Sequence, residues 1–196
     1  MVIAAVGLNF GVLLYNFIKP RQITSFSIYL IALYLANLVF FLAARPFLMI
    51  SEVYATWTLG RSMCIFYLYV AKVVSIIPVY MHVLISVNRL WAYIFPLHYR
   101  SYHTKSVALL ISLAAVAWVH VFALSGFLVD ILRNYRREHI PNCTSYAGFI
   151  MAWKHTEYVV DRILPLCFIV SAYTYLVIKR RQNEEGTIQL LHHNGR

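Results

Sequence analysis

Residues 60–93 read GRSMCIFYLYVAKVVSIIPVYMHVLISVNRLWAY, and this stretch decides the fold. Between Cys64 and Asn88 the one formally charged side chain is Lys72. A helix needs about 20 mostly apolar residues to cross the ~30 Å hydrocarbon core of a bilayer. Lipid offers the backbone no hydrogen bonds, so a run of this kind is a helix that satisfies its own peptide groups. The run is longer than a crossing needs, which predicts a helix that tilts or projects beyond the membrane. Cys64 stands near one end and Arg89 near the other. At ~1.5 Å per residue they lie roughly 37 Å apart, enough to span a bilayer.

Working outward, four more apolar runs read the same way: 2–18, 23–50, 105–129 and 157–178. The expected fold is therefore all-α, an integral membrane bundle of five transmembrane helices occupying 1–178. The first run is barely long enough. Arg45-Pro46 falls near the far end of the second, where Pro46 is expected to kink the helix. The stretch 130–156 is too polar to span, and 179–196 reads as a flexible polar tail or the start of an inner loop.

Composition agrees. Of 196 residues, 61% are hydrophobic and 12% charged, with a mean hydropathy of +0.68. Soluble domains are roughly 45–50% apolar and ~25% charged. The excess apolar surface must face lipid. The net charge of +10 forms no single patch, so nucleic acid is not an expected partner. Basic residues fall between the runs, where the positive-inside rule expects them. No charge precedes the first run, and Lys19 and Arg21 follow it. Arg100, Lys105 and Lys179 to Arg181 fall on the same side, so the N-terminus is expected outside and the C-terminus in the cytoplasm. The long outer segment blurs the count, because Arg133, Arg136, Arg137 and Lys154 mix there with Asp130 and Glu138.

Three cysteines are present and none has zinc-site spacing. Cys64 and Cys143 both fall on the expected outer, oxidising side, where a disulfide can form. The alternative is that both stay unpaired. Cys167, in mid-helix, reads as a small buried hydrophobe. Phosphate loops, G-x-S-x-G and H-E-x-x-H are absent, so neither an enzyme nor a cofactor or metal is expected. Asn142-Cys143-Thr144 fits a glycosylation acceptor in an outer loop, cramped if Cys143 is bonded.

Residues 57–64 (WTLGRSMC) resemble the W-x-x-G-x-x-x-C signature of rhodopsin-like G-protein-coupled receptors. Residues 86–99 (SVNRLWAYIFPLHY) resemble that family's D-R-Y segment and the proline about seven residues after its Arg. Asn9 matches the first-helix Asn, Leu35-Ala36-Asn37 the second helix's L-A-x-A-D, and Trp118 the fourth-helix Trp. Pro165 and Tyr173 match the fifth-helix pair. The likeness covers essentially the whole chain and stops after helix five, short of the family's sixth and seventh. The resemblance implies a receptor in the plasma membrane that passes binding of an extracellular ligand to a heterotrimeric G protein. Arg89 and the Pro96 loop would touch that partner, and Tyr173 would swing in to support Arg89. A receptor dimer is also compatible. A five-helix piece is not expected to signal alone, because the family opens its G-protein cavity with helix six. The alternatives are a truncated, non-signalling isoform and a five-helix transporter or structural membrane protein.

Departures from the pattern sharpen the expectation. Asn88 replaces the usual acid and can hydrogen-bond but not ion-pair with Arg89. Asn37 replaces the second-helix Asp, and Pro78 falls where a hydroxyl usually sits, which leaves a poor site for sodium. Ala71 stands where amine receptors of the family carry Asp, which argues against a biogenic amine. Ala71, Lys72, Ser75, Glu157 and Asp161 form a candidate ligand pocket, of a kind that would suit a peptide. The plainer reading is an internal Lys72–carboxylate pair. His82 and His120 are expected to bond between helices. Arg45 and Arg162 are expected to reach the outer headgroups.

Overall fold

The computed structural model describes residues 2–19, 23–53, 57–134, 143 and 151–194. Among the described residues every regular element is a helix, without strands: an all-α membrane helix bundle. The helices are α1 (Val2–Ile18), α2 (Ser25–Val39), α3 (Arg45–Val53), α4 (Gly60–Ile94), α5 (Pro96–Tyr102), α6 (Lys105–Asn134), α7 (Met151–Tyr158) and α8 (Leu164–Asn194). The spans Ser25–Ile50, Gly60–Ile94, Lys105–Leu128 and His155–Glu185 are long and apolar enough to cross a membrane, and Ala4–Ile18 is a shorter apolar helix.

Two of the crossings are interrupted alike. A π-helical turn at Phe40–Ala44 joins α2 to α3, and another at Val159–Ile163 joins α7 to α8. Each ends two residues before a proline, Pro46 and Pro165. A proline inside a helix lacks its N–H and crowds the carbonyl four residues back. A widened turn is one way to accommodate both defects. The expected distortion at Pro46 thus takes the form of a π turn upstream of it. Pro78 lies inside α4 with no such turn.

The core is built around α4. Tyr29 and Leu33 of α2 pack with Met81 and Ile85 of α4 and Ala108 of α6. Val73 and Ile76 of α4 pack with Val119 and Ala123 of α6. Ala108 and Ala123 are fully buried, small side chains that let helix backbones approach closely where lipid supplies no hydrophobic drive. Outward-facing Leu110 and Val121 are about two-thirds exposed, as residues that meet lipid should be. Between α2, α4 and α6 lies an apolar cleft of about 390 Å³.

Several boundaries differ from the sequence reading. α6 continues to Asn134, past the end of its apolar run at 129, and α8 continues through the polar stretch to Asn194. Helix propagation adds a backbone bond per residue and does not stop where hydropathy does. The loop after Arg89 holds a helix of its own, α5, opened by Pro96 at its first position. Thr24 caps α2 in a reciprocal box with Ser27, each side chain accepting the other's backbone N–H at 3.2 Å.

Candidate functional site

The two ends of α4 carry different chemistry. At its start, Gly60 takes φ +77, a conformation costly for other residues. Trp57 donates its indole N–H to the Gly60 carbonyl at 2.7 Å and stacks on Tyr67, ring centroids 5.6 Å apart. That brace sets the entry into α4 and leaves Cys64 one turn in, 3% exposed. Cys64 is disulfide-bonded to Cys143, which ties the segment between α6 and α7 to this end of α4. Asn142 lies outside the described residues.

Two turns further along α4, the Lys72 ammonium pairs with the carboxylate of Glu157 on α7. Ser75 donates to the Lys72 carbonyl at 2.9 Å and accepts from the Arg162 guanidinium at 3.2 Å. Asp161 is buried beside them, 4% exposed, and Ala71 is half-buried. Glu157 and Asp161 are four residues apart, so a regular helix already aligns them. Arg162 is five on from Glu157, the neighbour spacing of a π turn, and it falls in the turn Val159–Ile163. The irregular turn thus lets three charged residues address α4 together. Arg162 is exposed and also hydrogen-bonds Ser75 of α4, a partner the sequence alone did not indicate. Arg45 keeps its Nε buried, with no hydrogen-bond partner.

At the other end of α4, Arg89 is exposed and its guanidinium lies 5.7 Å from the ring centres of both Phe26 on α2 and Tyr173 on α8. Asn88 is buried, 4% exposed, and its side-chain oxygen has no hydrogen-bond partner. Pro96 opens α5, and Leu97 beside it is 82% exposed, with Phe95 at 60%. α5 is anchored through the residue that follows it. His103 is buried, its Nε2 lies 3.1 Å from the Tyr29 hydroxyl, and its carbonyl accepts from Ser25 at 3.1 Å. Its ring stacks on Tyr99 and meets the edge of Trp91. Burial pushes the His103 imidazole below its usual pKa.

Asn37 donates to the Asn9 side-chain oxygen at 3.3 Å, while Asn9 donates to the Ala5 carbonyl at 2.7 Å, so the two motif asparagines join α1 to α2. Pro165 is buried at the start of α8. Trp118 is 54% exposed and stacks on Phe122 of its own helix, so it faces outward where a packing role was expected. His120 bonds Tyr69 across α6 and α4 at 2.8 Å, as expected, whereas His82 is exposed. Cys167 is exposed on α8, contrary to the buried reading; a thiol is apolar enough to face lipid. Among the described residues no three His, Cys, Asp or Glu side chains gather as a metal site would require.

Sequence reasoning missed Phe26, Tyr29, Leu97 and His103. No motif marks them, and their importance arises from which helices come together. Pro96 was the one signal available for α5 and its exposed Leu97.

The sequence pattern described as 7 transmembrane receptor (rhodopsin family) matches residues 8–189. The chain is 22% identical over 162 residues to a human protein named "Probable G-protein coupled receptor 19", covering 80% of this chain and 37% of that one. It is 32% identical over 117 residues to the histamine H1 receptor of Bos taurus, covering 58% of this chain and 23% of that one. The chain thus spans well under half the length of the curated relatives it matches. With the match running across nearly every described helix, the chain belongs to the rhodopsin family of seven-transmembrane receptors.

Proposed function

We propose that this chain forms the part of a plasma-membrane receptor that senses an extracellular ligand at the disulfide end of α4 and presents Arg89 to a heterotrimeric G protein at the other. Membership of the family makes it a receptor and not an enzyme. The single observation that carries the reading is the polarity of α4: disulfide and charged cluster toward one end, Arg89 and the α5 helix at the other. In this reading the N-terminus is outside and the Arg89 end is cytoplasmic. The exposed Phe95 and Leu97, close in sequence to Arg89 and Arg100, suit a partner that offers an apolar pocket with acidic surroundings.

The ligand is read as a peptide. Lys72 and Glu157 neutralise each other, so a ligand with a single charge would strand one of them in a poorly solvated site. A peptide supplies groups of both signs. The name of the bovine relative specifies histamine, an amine; here Ala71 offers an amine no carboxylate, and Glu157 is already engaged. A ligand of either kind works only through its different affinity for two states of the bundle.

The test is guanine-nucleotide exchange on heterotrimeric G proteins, co-reconstituted in lipid nanodiscs with a receptor polypeptide that carries this segment. Exchange above that of the G protein alone, lost in Arg89→Ala, is expected. Equal exchange from both polypeptides would rule the reading out.

A further inference from the structure

α5 (Pro96–Tyr102) is 7 residues long and contains no buried residue of its own. A helix that short is not stable in isolation, so its place must come from what holds its ends. Its last turn is closed by His103, whose N–H bonds the Tyr99 carbonyl at 2.9 Å. Thr104 follows and caps α6, its hydroxyl accepting from the Val107 N–H at 3.3 Å. His103 is therefore the corner between two helices, and unlike Tyr102 and Thr104 on either side it is buried. From α2, Ser25 donates to its carbonyl and the Tyr29 hydroxyl meets its Nε2, each at 3.1 Å. Tyr29 belongs to the core with Leu33, Met81, Ile85 and Ala108, so the imidazole links this corner to the centre of the bundle.

We infer that His103 is a positioning residue whose neutral imidazole pins α5 to the bundle, and that a proton added to this ring releases α5 together with the apolar surface it carries. Nδ1 is buried with no partner, whereas Nε2 faces the Tyr29 hydroxyl. A buried N–H without an acceptor is worse tolerated than a bare lone pair, so the ring's one proton belongs on Nε2, donated to the Tyr29 oxygen. A second proton has only Nδ1 to occupy. There it would find no acceptor and would bring a charge into a site that excludes water. Nothing nearby offsets that charge. α2 presents Tyr29, and α5 presents Tyr99, with His98 and Tyr102 on the same helix. α4 presents the uncharged indole of Trp91, which itself donates to His98 Nδ1 at 3.1 Å, while Arg89 faces Phe26 and Tyr173. The charged residues nearest in sequence, Arg100 and Lys105, are both basic. Among the described residues no carboxylate lies within ion-pair distance of the ring. Burial accordingly holds the imidazole below its ordinary pKa of 6.5. The seat is thus at full strength above about pH 6.5 and weakens as pH falls from there. What it holds in place is Leu97, 82% exposed. The consequence for coupling rests on the reading of this end of α4 as the G-protein face; the seat itself does not.

The test is hydrogen exchange of the chain in lipid nanodiscs, read as protection relative to the intrinsic exchange rate at each pH. Between pH 7.5 and 5.5 the peptide covering α5 should lose protection severalfold, to a limit of about tenfold for a ring that titrates near 6.5 once released. α4 and α6 should keep theirs, which reports an intact bundle. His103→Gln keeps an amide N–H for Tyr29 and cannot titrate, so its α5 should be equally protected at both pH values. His98→Gln should leave the wild-type pH dependence in place, and Tyr29→Phe should loosen α5 already at pH 7.5. Protection of α5 that is flat with pH in the wild type would overturn the pin. So would a pH dependence that survives in His103→Gln or vanishes in His98→Gln. Should His103→Gln fail to fold, the profiles of the wild type, His98→Gln and Tyr29→Phe decide the matter. In a receptor carrying the segment, nucleotide exchange that changes with acid in the wild type but not in His103→Gln would tie the seat to coupling. Equal exchange from the two at every pH, with α5 released as expected, would leave the pin standing and remove α5 from coupling.

Discussion

The ammonium of Lys72 and the carboxylate of Glu157 close an ion pair between α4 and α7, with 27% and 15% of the two side chains exposed. Pairing in a poorly solvated site is worth little beyond its own desolvation cost, but removing one partner leaves the other charge uncompensated. Lys72→Met or Glu157→Leu alone should therefore destabilise the chain by about 1–3 kcal/mol, scaled down from fully buried pairs because water reaches both groups. The double variant should recover most of that loss. Thermal melts of the three variants in one detergent decide it, and losses that simply add would show that the pair does not couple.

The disulfide closes a long loop, its two cysteines 79 positions apart. In chain-entropy terms a link of that separation stabilises by about 4.5 kcal/mol. Cys143→Ser should lower the melting temperature clearly, and reductant should do the same to the wild type but nothing to the variant. A reductant-insensitive wild type would mean that the link does not form.

Much of the bundle is legible in the sequence, because lipid converts apolar runs into helices and leaves them few alternatives. The runs at 60–93 and 105–129 correspond to α4 and α6, and the cysteine pair was readable from the side of the membrane on which both residues fall. The π turns were not readable, since nothing in FFLAA or VVDRI marks a wider turn and the prolines that accompany them come later. Without that turn nothing in the sequence links Arg162 to Ser75. The Arg89 surroundings were legible only in part: Tyr173 came from a motif, whereas Phe26 reaches Arg89 through the packing of α2 against α4. Such contacts depend on tertiary placement and not on local pattern.

His103 should make stability depend on pH. Its burial holds the folded-state pKa below the usual 6.5, so the fold favours the neutral ring. The imidazole Nδ1 is buried with no hydrogen-bond partner, so protonation would place a charge where nothing accepts its proton. Between the folded and unfolded pKa values the unfolded chain binds more protons. The contribution is therefore complete above about pH 6.5 and is lost as pH falls from there through the folded value. Melting followed from pH 7.5 to 5 should show a decline that His103→Asn abolishes. An identical pH profile in that variant would remove His103 as the cause.

The Asn9–Asn37 hydrogen bond joins the short helix α1 to α2. Side-chain bonds between membrane helices average about 0.6 kcal/mol, with a maximum near 1.7. Asn37→Leu should cost about that much and should raise hydrogen exchange in α1 more than in α4. Uniform exchange across all helices would count against a local role.

Asn88 offers the sharpest substitution. Its side-chain oxygen is buried without a donor, next in sequence to a guanidinium that faces two rings. Asn88→Asp would place a carboxylate in that position, with the positive charge of Arg89 next to it in sequence. A buried carboxylate without a partner is costly, so the substitution should draw Arg89 toward residue 88 and add an ion pair to whatever the rings already supply. In a receptor carrying this segment, the expected result is basal nucleotide exchange reduced several-fold, with phenylglyoxal modification of Arg89 slowed in parallel. The two readouts separate the possible failures. Exchange that is unchanged or raised would mean that residue 88 does not restrain the resting state, whereas slowed modification with unchanged exchange would mean that Arg89 is restrained but does not govern coupling.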